Sequence, residues 1–364
     1  MSRIDSARLV PYRLTLRAHH GDARGGFHDR SGVLLVLTDR DGREGLGDCA
    51  PLSPWSPSLE VCLPWLEREA ARLPGLDPCQ AWEALLAETL TSSACPGPVR
   101  AALEGAFGFL CSDQLGLPLS ALFGGTSLRP AVLCVNAVID AGELDAALQQ
   151  ARLAATQGYT AFKLKVGIDP SRDAILVSQL RAALGADATI RVDANGGWSP
   201  EEFRAIAPDL RRVGIELVEQ PMAPVAAKPA SLRLLREETG LRIALDESLA
   251  DEATALRLID DGACDAVVLK PSLLGLATSA RIARAARSAG LDVVVTGCFE
   301  SGAGYAAALE FAAAFGAREA AHGLATALAV TDDPVRGVPQ PERGTVNLPP
   351  AGVLPRLACG MAGS

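Results

Sequence analysis

The sequence predicts an α/β protein, a (β/α)7β TIM-like barrel with an N-terminal α+β capping domain. Three observations predict it. Between residues 131 and 325, short β-rich apolar runs alternate with alanine-rich helical stretches, the pattern of a parallel sheet. Eight such runs suit a closed barrel better than an open sheet, whose first turn would carry a glycine-rich phosphate loop; Asn136–Gly142 holds none. Finally, five successive runs each end on an ionisable residue, at the end where barrel sites are built.

Taken in order, residues 7–48 alternate and turn like strands. Val33–Leu37 and Gly45–Gly47 flank the turn Asp39–Gly42 and read as a hairpin. His19–Arg30 is polar and glycine-rich and reads as a loop. Ala50–Ser58 sets Pro51, Pro54 and Pro57 around Trp55 and reads as a rigid irregular loop. Helices are expected near 58–73, 79–90 and 97–112, separated by Pro74, Pro78 and Pro96. The capping domain is expected to span 1–128, ending near Gly124-Gly125-Thr126. The barrel follows over 129–330, with strands at 131–138, 161–166, 188–193, 215–219, 241–246, 265–270, 291–297 and 319–325. Its first three helices are placed at 142–157, 171–184 and 200–212. The tail, 331–364, is rich in Pro and Gly, has one β-like piece at Thr345–Leu348, and is expected to pack back on the capping domain.

A net charge of −9 without basic runs argues against nucleic acid or anionic membrane as partners, while leaving a small anionic substrate open. The apolar stretch Gly302–Ala317 is interrupted by Glu310 and is too short to span a bilayer. No signal peptide is read in Met1–Val10. Nine cysteines lie between Cys49 and Cys359 with no C-x-x-C pair, so reduced, mostly buried thiols in a cytoplasmic protein are expected. Oligomeric state is not set by any of these features.

The ionisable strand ends carry the chemistry. They are Lys165, Asp193, Glu219, Asp246 and Lys270, each 24–28 residues from the last, about one βα unit. Three carboxylates with no His or Cys among them form a hard oxygen site for Mg²⁺, with Mn²⁺ possible. Such acids would repel one another without a cation. Lys163 and Lys165 share one strand face, as do Arg191, Asp193 and Asn195. Two ammonium groups and a metal crowded together should lower a lysine pKa toward that of a useful base. That machinery suits removal of a proton alpha to a carboxylate. Asn195 and Glu247 are expected as supporting partners of the ligands, and Arg191 as a charge partner or a substrate contact. His19, His20 and His28 are read as loop residues.

Lys163-Leu-Lys165, Asp193-Ala-Asn195, Glu219-Gln-Pro221, Asp246-Glu-Ser248 and Lys270-Pro-Ser272 resemble, in order and spacing, the motifs of the enolase superfamily, muconate lactonizing enzyme subgroup. The resemblance covers essentially the whole chain. It implies Mg²⁺ on Asp193, Glu219 and Asp246, with Lys165 and Lys270 catalytic and Lys163 beside the base. It also implies that the His19–Arg30 and Ala50–Ser58 loops cap the substrate, a small carboxylate. Arg191–Trp198, Val268–Gly275, Thr296–Gly302 and His322–Thr326 look like the o-succinylbenzoate synthases. That likeness implies syn-dehydration in menaquinone biosynthesis, with Lys163, Arg191, Asn195, Ser301 and the Gly302 backbone at the substrate and Ser301 and Gly302 holding its succinyl carboxylate. Leu276, where many relatives carry glycine, and Glu300, an acid beside that carboxylate site, depart from the pattern; Glu300 is expected to be turned outward or paired. The alternatives are N-acylamino acid racemisation, dipeptide epimerisation, muconate cycloisomerisation and, in another class, metal-dependent ligand binding without catalysis. Gly323–Leu328 lacks the acid pair that dipeptide epimerases use to grip an ammonium group.

Overall fold

The computed structural model describes residues 1–22, 25–87, 94–124, 129–140, 142–225 and 227–358. β1 (Ile4–Asp22), β2 (Gly25–Asp39) and β3 (Glu44–Cys49) form an antiparallel meander. His19–Arg30, expected as a loop, is instead strand in its described residues, 19–22 at the end of β1 and 25–30 at the start of β2. His20 pairs with Phe27 and Gly21 with Gly26 after a register shift beyond Thr15. Composition misled there, because cross-strand pairing satisfies the backbone whatever the side chains. α1 (Leu59–Ala70), α2 (Pro78–Leu86) and α3 (Gly97–Leu115) pack against the sheet, followed by the short α4 (Leu119–Leu122). α3 is buried on nearly every side from Val99 to Ser112, as an all-round apolar helix must be. It presses onto β3 so closely that a Cβ on Gly47 would stand 1.7 Å from the Ala102 carbonyl, which requires glycine there.

The packing of α2 on α3 also corrects a cysteine expectation. Cys79 and Cys111 are joined in a disulfide, their Cα atoms 5.1 Å apart across a separation of 32 residues. Neighbouring helices create that proximity, and no local spacing announces it. Cys49, Cys62, Cys95, Cys264 and Cys298 are buried free thiols, and Cys134 is exposed.

The expected boundary near Gly124–Thr126 runs into residues 125–128, outside the described residues. Beyond it the first barrel run divides. β4 (Val132–Cys134) pairs with the tail, and β5 (Ala137–Ile139) opens the parallel sheet. Then follow α5 (Leu144–Thr156), β6 (Ala161–Lys165), α6 (Pro170–Leu184), β7 (Thr189–Asp193), α7 (Pro200–Arg212) and β8 (Leu217–Glu219). The second half comprises α8 (Pro229–Thr239), β9 (Ile243–Leu245), α9 (Glu252–Asp260), β10 (Ala266–Leu269), α10 (Pro271–Leu274), α11 (Leu276–Ser288), β11 (Asp292–Val295) and α12 (Gly302–Phe315). β5 to β11 lie side by side in sequence order, all parallel. Helix starts are written locally: Asp169 and Asp251 cap α6 and α9, and Ser199 with Glu202 forms a capping box on α7.

The eighth strand, expected at 319–325, is reduced to two bridges, Val135 with His322 and Thr296 with Gly323. They suffice to close the ring, with Asn136 N–H donating to His322 O (3.0 Å) and Gly297 N–H to Gly323 O (3.0 Å). Inside, small and branched residues (Leu217, Ala244, Ala266, Val268, Val294, Ala320) fill the barrel as a packed core.

The tail touches both halves. β12 (Val330–Thr331) extends the N-terminal sheet beside β1, and β13 (Val335–Arg336) pairs with β15 (Arg356–Leu357). Arg356 reaches Glu44 O and Asp113, both at 3.2 Å, while β14 (Thr345–Asn347) pairs with β4. Glu310, fully buried, accepts from Arg129 Nη2 (2.6 Å), Ser120 N–H (3.1 Å) and Val353 N–H (2.7 Å), tying α12 to α4 and the tail.

Candidate active site

The parallel register sets Lys165 beside Asp193 and Asp193 beside Glu219, while Asp246 and Lys270 each lie one residue past β9 and β10. All five therefore open at the same mouth. Asp193, Glu219 and Asp246 are buried. Lys163 Nζ bridges Glu219 Oε1 (2.7 Å) and Asp193 Oδ2 (2.9 Å). Lys165 Nζ donates to Asp193 Oδ2 (2.7 Å) and Asn195 Oδ1 (2.8 Å), and Lys270 Nζ to Asp246 Oδ2 (2.6 Å). Asn195 passes the chain on, its Nδ2 donating to Glu247 Oε1 (3.0 Å). The two candidate catalytic lysines thus grip opposite ends of the carboxylate row.

Electrostatics follow from that crowding. Burial works against the Lys163 ammonium, but Asp193, Glu219 and Asp246 outweigh it and raise its pKa well above the ordinary lysine value. Lys270 is raised the same way, burial being overcome chiefly by Asp246. The expected lowering of the paired lysines is therefore not a property of Lys163 in the protein alone, because three carboxylates outvote two ammonium groups. Asp193, although buried, is held well below the carboxylate range by Lys163 and Lys165. Glu219 is pushed up to about 7 by burial and by repulsion from Asp193. Three hard oxygen donors at neighbouring strand ends fit a divalent cation of the Mg²⁺ class. Among the described residues no three such groups converge as a ready-formed metal cluster, each acid being drawn onto an ammonium instead.

Strain and support accompany the site. Asn195, Gln220 and Phe299 adopt left-handed backbone (φ 45°, 37° and 58°), each about 1–3 kcal/mol unfavourable for a non-glycine residue. Gln220 is buried; its Oε1 accepts the Asp246 and Ser248 N–H groups (3.0 and 3.1 Å) and its Nε2 donates to Ser248 Oγ and Met222 O (both 2.7 Å). It fixes the loop that carries Asp246, a role its place in Glu219-Gln-Pro221 could have signalled.

A cleft of about 170 Å³ opens over these groups, lined also by Phe27, Leu52, Trp55, Asp140, Leu273 and Phe299. Phe27 was hidden in the stretch read as a loop. A larger cleft, about 330 Å³, lies elsewhere beside Arg287, Arg318 and His322 and holds none of the predicted groups.

Three predicted substrate contacts do not line this cleft. Arg191 is buried below the mouth, bonded to Glu216 (2.6 and 3.0 Å) and Ala321 O (2.6 Å); it is the charge partner of its two readings. Sharing a face with Asp193 placed it inside the barrel, but one pleat repeat deeper. Ser301 is fully buried and gives both its N–H (2.9 Å) and Oγ–H (2.6 Å) to Asp48. The Gly302 N–H goes to Asp333 (2.7 Å). The start of α12 is thus already capped by the protein's own carboxylates, which supply the negative charge a helix N-terminus favours. Asp48 is raised to about 6 by burial, offset in part by the Ser301 and Tyr12 hydrogen bonds. Glu300 is paired but not outward: it is buried, accepts the Cys298 N–H and is pushed up to about 7 by that burial. The side chains of His19 and His20 lie outside the described residues; His28 is exposed.

Residues 146–353 match the family model described as Enolase C-terminal domain-like. The chain belongs to the enolase superfamily. It is 33% identical over 214 residues to a chloromuconate cycloisomerase of Pseudomonas sp. (strain P51), covering 58% of this chain and 56% of that protein, so it spans little more than half the length of that relative. A hydrophobic dipeptide epimerase of Citrifermentans bemidjiense is 32% identical over 319 residues (85% and 86% of the two chains). An o-succinylbenzoate synthase of Thermobifida fusca is 36% identical over 214 residues (57% and 62%). Among solved structures, a dipeptide epimerase from Cytophaga hutchinsonii, complexed with Mg and D-Ala-L-Val, superposes with a TM-score of 0.87 at 25% identity, covering 99% of this chain and 97% of that one. An o-succinylbenzoate synthase, a dipeptide epimerase and a chloromuconate cycloisomerase are thus about equally near. Among the described residues no helix is long and apolar enough to cross a membrane.

Proposed function

We propose that this enzyme is an o-succinylbenzoate synthase, dehydrating 2-succinyl-6-hydroxy-2,4-cyclohexadiene-1-carboxylate. One observation carries the reading. Lys165 and Lys270 grip the two ends of the Asp193–Glu219–Asp246 row at the floor of a cleft with an apolar, aromatic wall. Asp193, Glu219 and Asp246 would hold a Mg²⁺ ion (or Mn²⁺), which would supply Lewis-acid charge beside the substrate carboxylate. Lys165 Nζ, oriented by Asn195 Oδ1, takes the proton alpha to that carboxylate. Its ammonium form then returns the proton to the departing hydroxide, so water leaves and the ring becomes aromatic. The Lys270 ammonium stabilises the negative charge that builds between these steps. Asn195 and Lys163 hold the base and the triad in register, and Phe27, Leu52, Trp55 and Phe299 keep bulk water from the ring.

Isomerisation is the second reading. Two lysines at opposite ends of the carboxylate row suit a two-base racemase or epimerase, and Asp140 in the cleft offers a carboxylate to an ammonium group. With Mg²⁺ and the cyclohexadiene precursor, the purified protein is expected to form o-succinylbenzoate, to stop on EDTA and to resume when Mg²⁺ is returned. No dehydration, alongside rapid solvent deuterium entry at the alpha carbon of an N-acylamino acid, would overturn the synthase in favour of the racemase.

A further inference from the structure

We propose that Arg30 is a positioning residue that clasps the N-terminal capping segments onto the barrel mouth and thereby shapes the substrate cleft. Arg30 lies on β2 and is only 6% exposed. Its guanidinium engages three backbone carbonyls: Nε reaches Cys298 O (3.3 Å), Nη1 reaches Pro51 O (2.5 Å) and Nη2 reaches Ala50 O (3.0 Å). Its Cζ also sits 5.8 Å from the centre of the Phe27 ring, and Phe27 meets Phe299 edge-on at 5.6 Å. Three chain segments therefore converge on one side chain: the far end of β2, the loop leaving β3, and the loop leaving β11.

Each segment delivers part of the cleft wall. The first brings Phe27, the second Leu52 and Trp55, the third Gly297, Cys298 and Phe299. Trp55 matters twice, because it also borders a neighbouring cavity of about 260 Å³ that shares Asp246, Lys270 and Leu273 with the cleft. The indole is thus part of the partition between two spaces, and its loop is anchored to the barrel at Pro51 through Arg30. A planar guanidinium, with nitrogens pointing three ways, reaches three carbonyls at once; an ammonium on a lysine stem does not. Hydrogen bonds from a charged donor in a buried setting are the strong kind, so losing them frees the loop before it unfolds the barrel.

This inference rests on the cleft being the substrate site, and its first readout needs no substrate. Arg30→Ala and Arg30→Lys are compared with wild type by amide hydrogen–deuterium exchange and by steady-state kinetics on the cyclohexadiene precursor. Exchange is expected to accelerate in peptides covering 50–61 and 296–300 and to stay unchanged in β6 to β10. In Arg30→Ala, KM is expected to rise at least about tenfold while kcat moves less than about threefold. Arg30→Lys should fall between, and methylguanidinium should restore KM in Arg30→Ala. Wild-type exchange in both segments overturns the clasp, as does acceleration spread evenly through the barrel strands. A kcat loss at constant KM overturns it too. If Arg30→Ala does not fold, the same measurements on Arg30→Lys decide. If the precursor is not turned over, exchange alone decides, and only the dehydration reading fails.

Discussion

The mouth of the barrel and its floor both bury charge, yet they use it in opposite ways. On β7, Arg191 and Asp193 stand two residues apart on one face. At the floor Arg191 closes its account within the protein, bonded to Glu216 and to one carbonyl, with the neutral ring of His322 nearby. At the mouth, Asp193 pairs with both Lys163 and Lys165 and shares Lys163 with Glu219, and Lys165 and Lys270 keep 27% and 21% of their side chains exposed. A closed ion pair holds shape; an open network, reachable from solvent, can exchange protons and accept ligands.

The sharpest break between the two regions is Lys165→Ala. It should lower kcat by at least about a thousandfold, read with substrate at saturation, while the thermal midpoint changes little because Lys163 still faces Asp193. Near-normal turnover would remove Lys165 from the mechanism. Arg191→Met should do the reverse. It strands Glu216, which is partly exposed, and the Ala321 carbonyl, costing about 2–3 kcal/mol in urea unfolding, with kcat per folded molecule within about twofold. A large kcat loss in that variant would mean that floor and mouth are coupled.

The smallest effect is one of pH. His322 is buried, its Nδ1 accepts the Val295 N–H (3.2 Å), and burial, with Arg191 adding, lowers its pKa to about 3. An unfolded histidine titrates near 6.5, so on acidification the unfolded chain takes the proton first. The stability this residue contributes is complete above about pH 6.5 and is lost as pH falls toward 3, at about 1.4 kcal/mol per pH unit. Between pH 7 and about pH 5.5 the wild type should therefore lose about 1 kcal/mol more than His322→Gln. Equal losses would show that the imidazole is protonated in the fold.

Much of the mouth was legible because it is written one residue per βα unit. Lys165, Asp193, Glu219, Asp246 and Lys270 recur at strand ends, and strand ends are readable from apolar runs. What was not legible shares one physical cause: contacts made across large separations. Arg191 and Asp193 are indistinguishable by alternation, and only the depth of each in the barrel separates them. Ser301 and Gly302 sit at a helix start that suits an anion, but Asp48 and Asp333, far away in sequence, arrive there first. Cys79 and Cys111 meet because two helices pack.

By itself the sequence determined the barrel, the row of three acids between lysines and the superfamily to which the chain belongs, because period, spacing and residue type are local quantities. Tertiary structure decided which polar groups remain available to a substrate. Burial and pairing silence Arg191, Ser301 and Gly302, whereas Phe27, Trp55 and Phe299, brought from three distant segments, become the wall above Lys165 and Lys270.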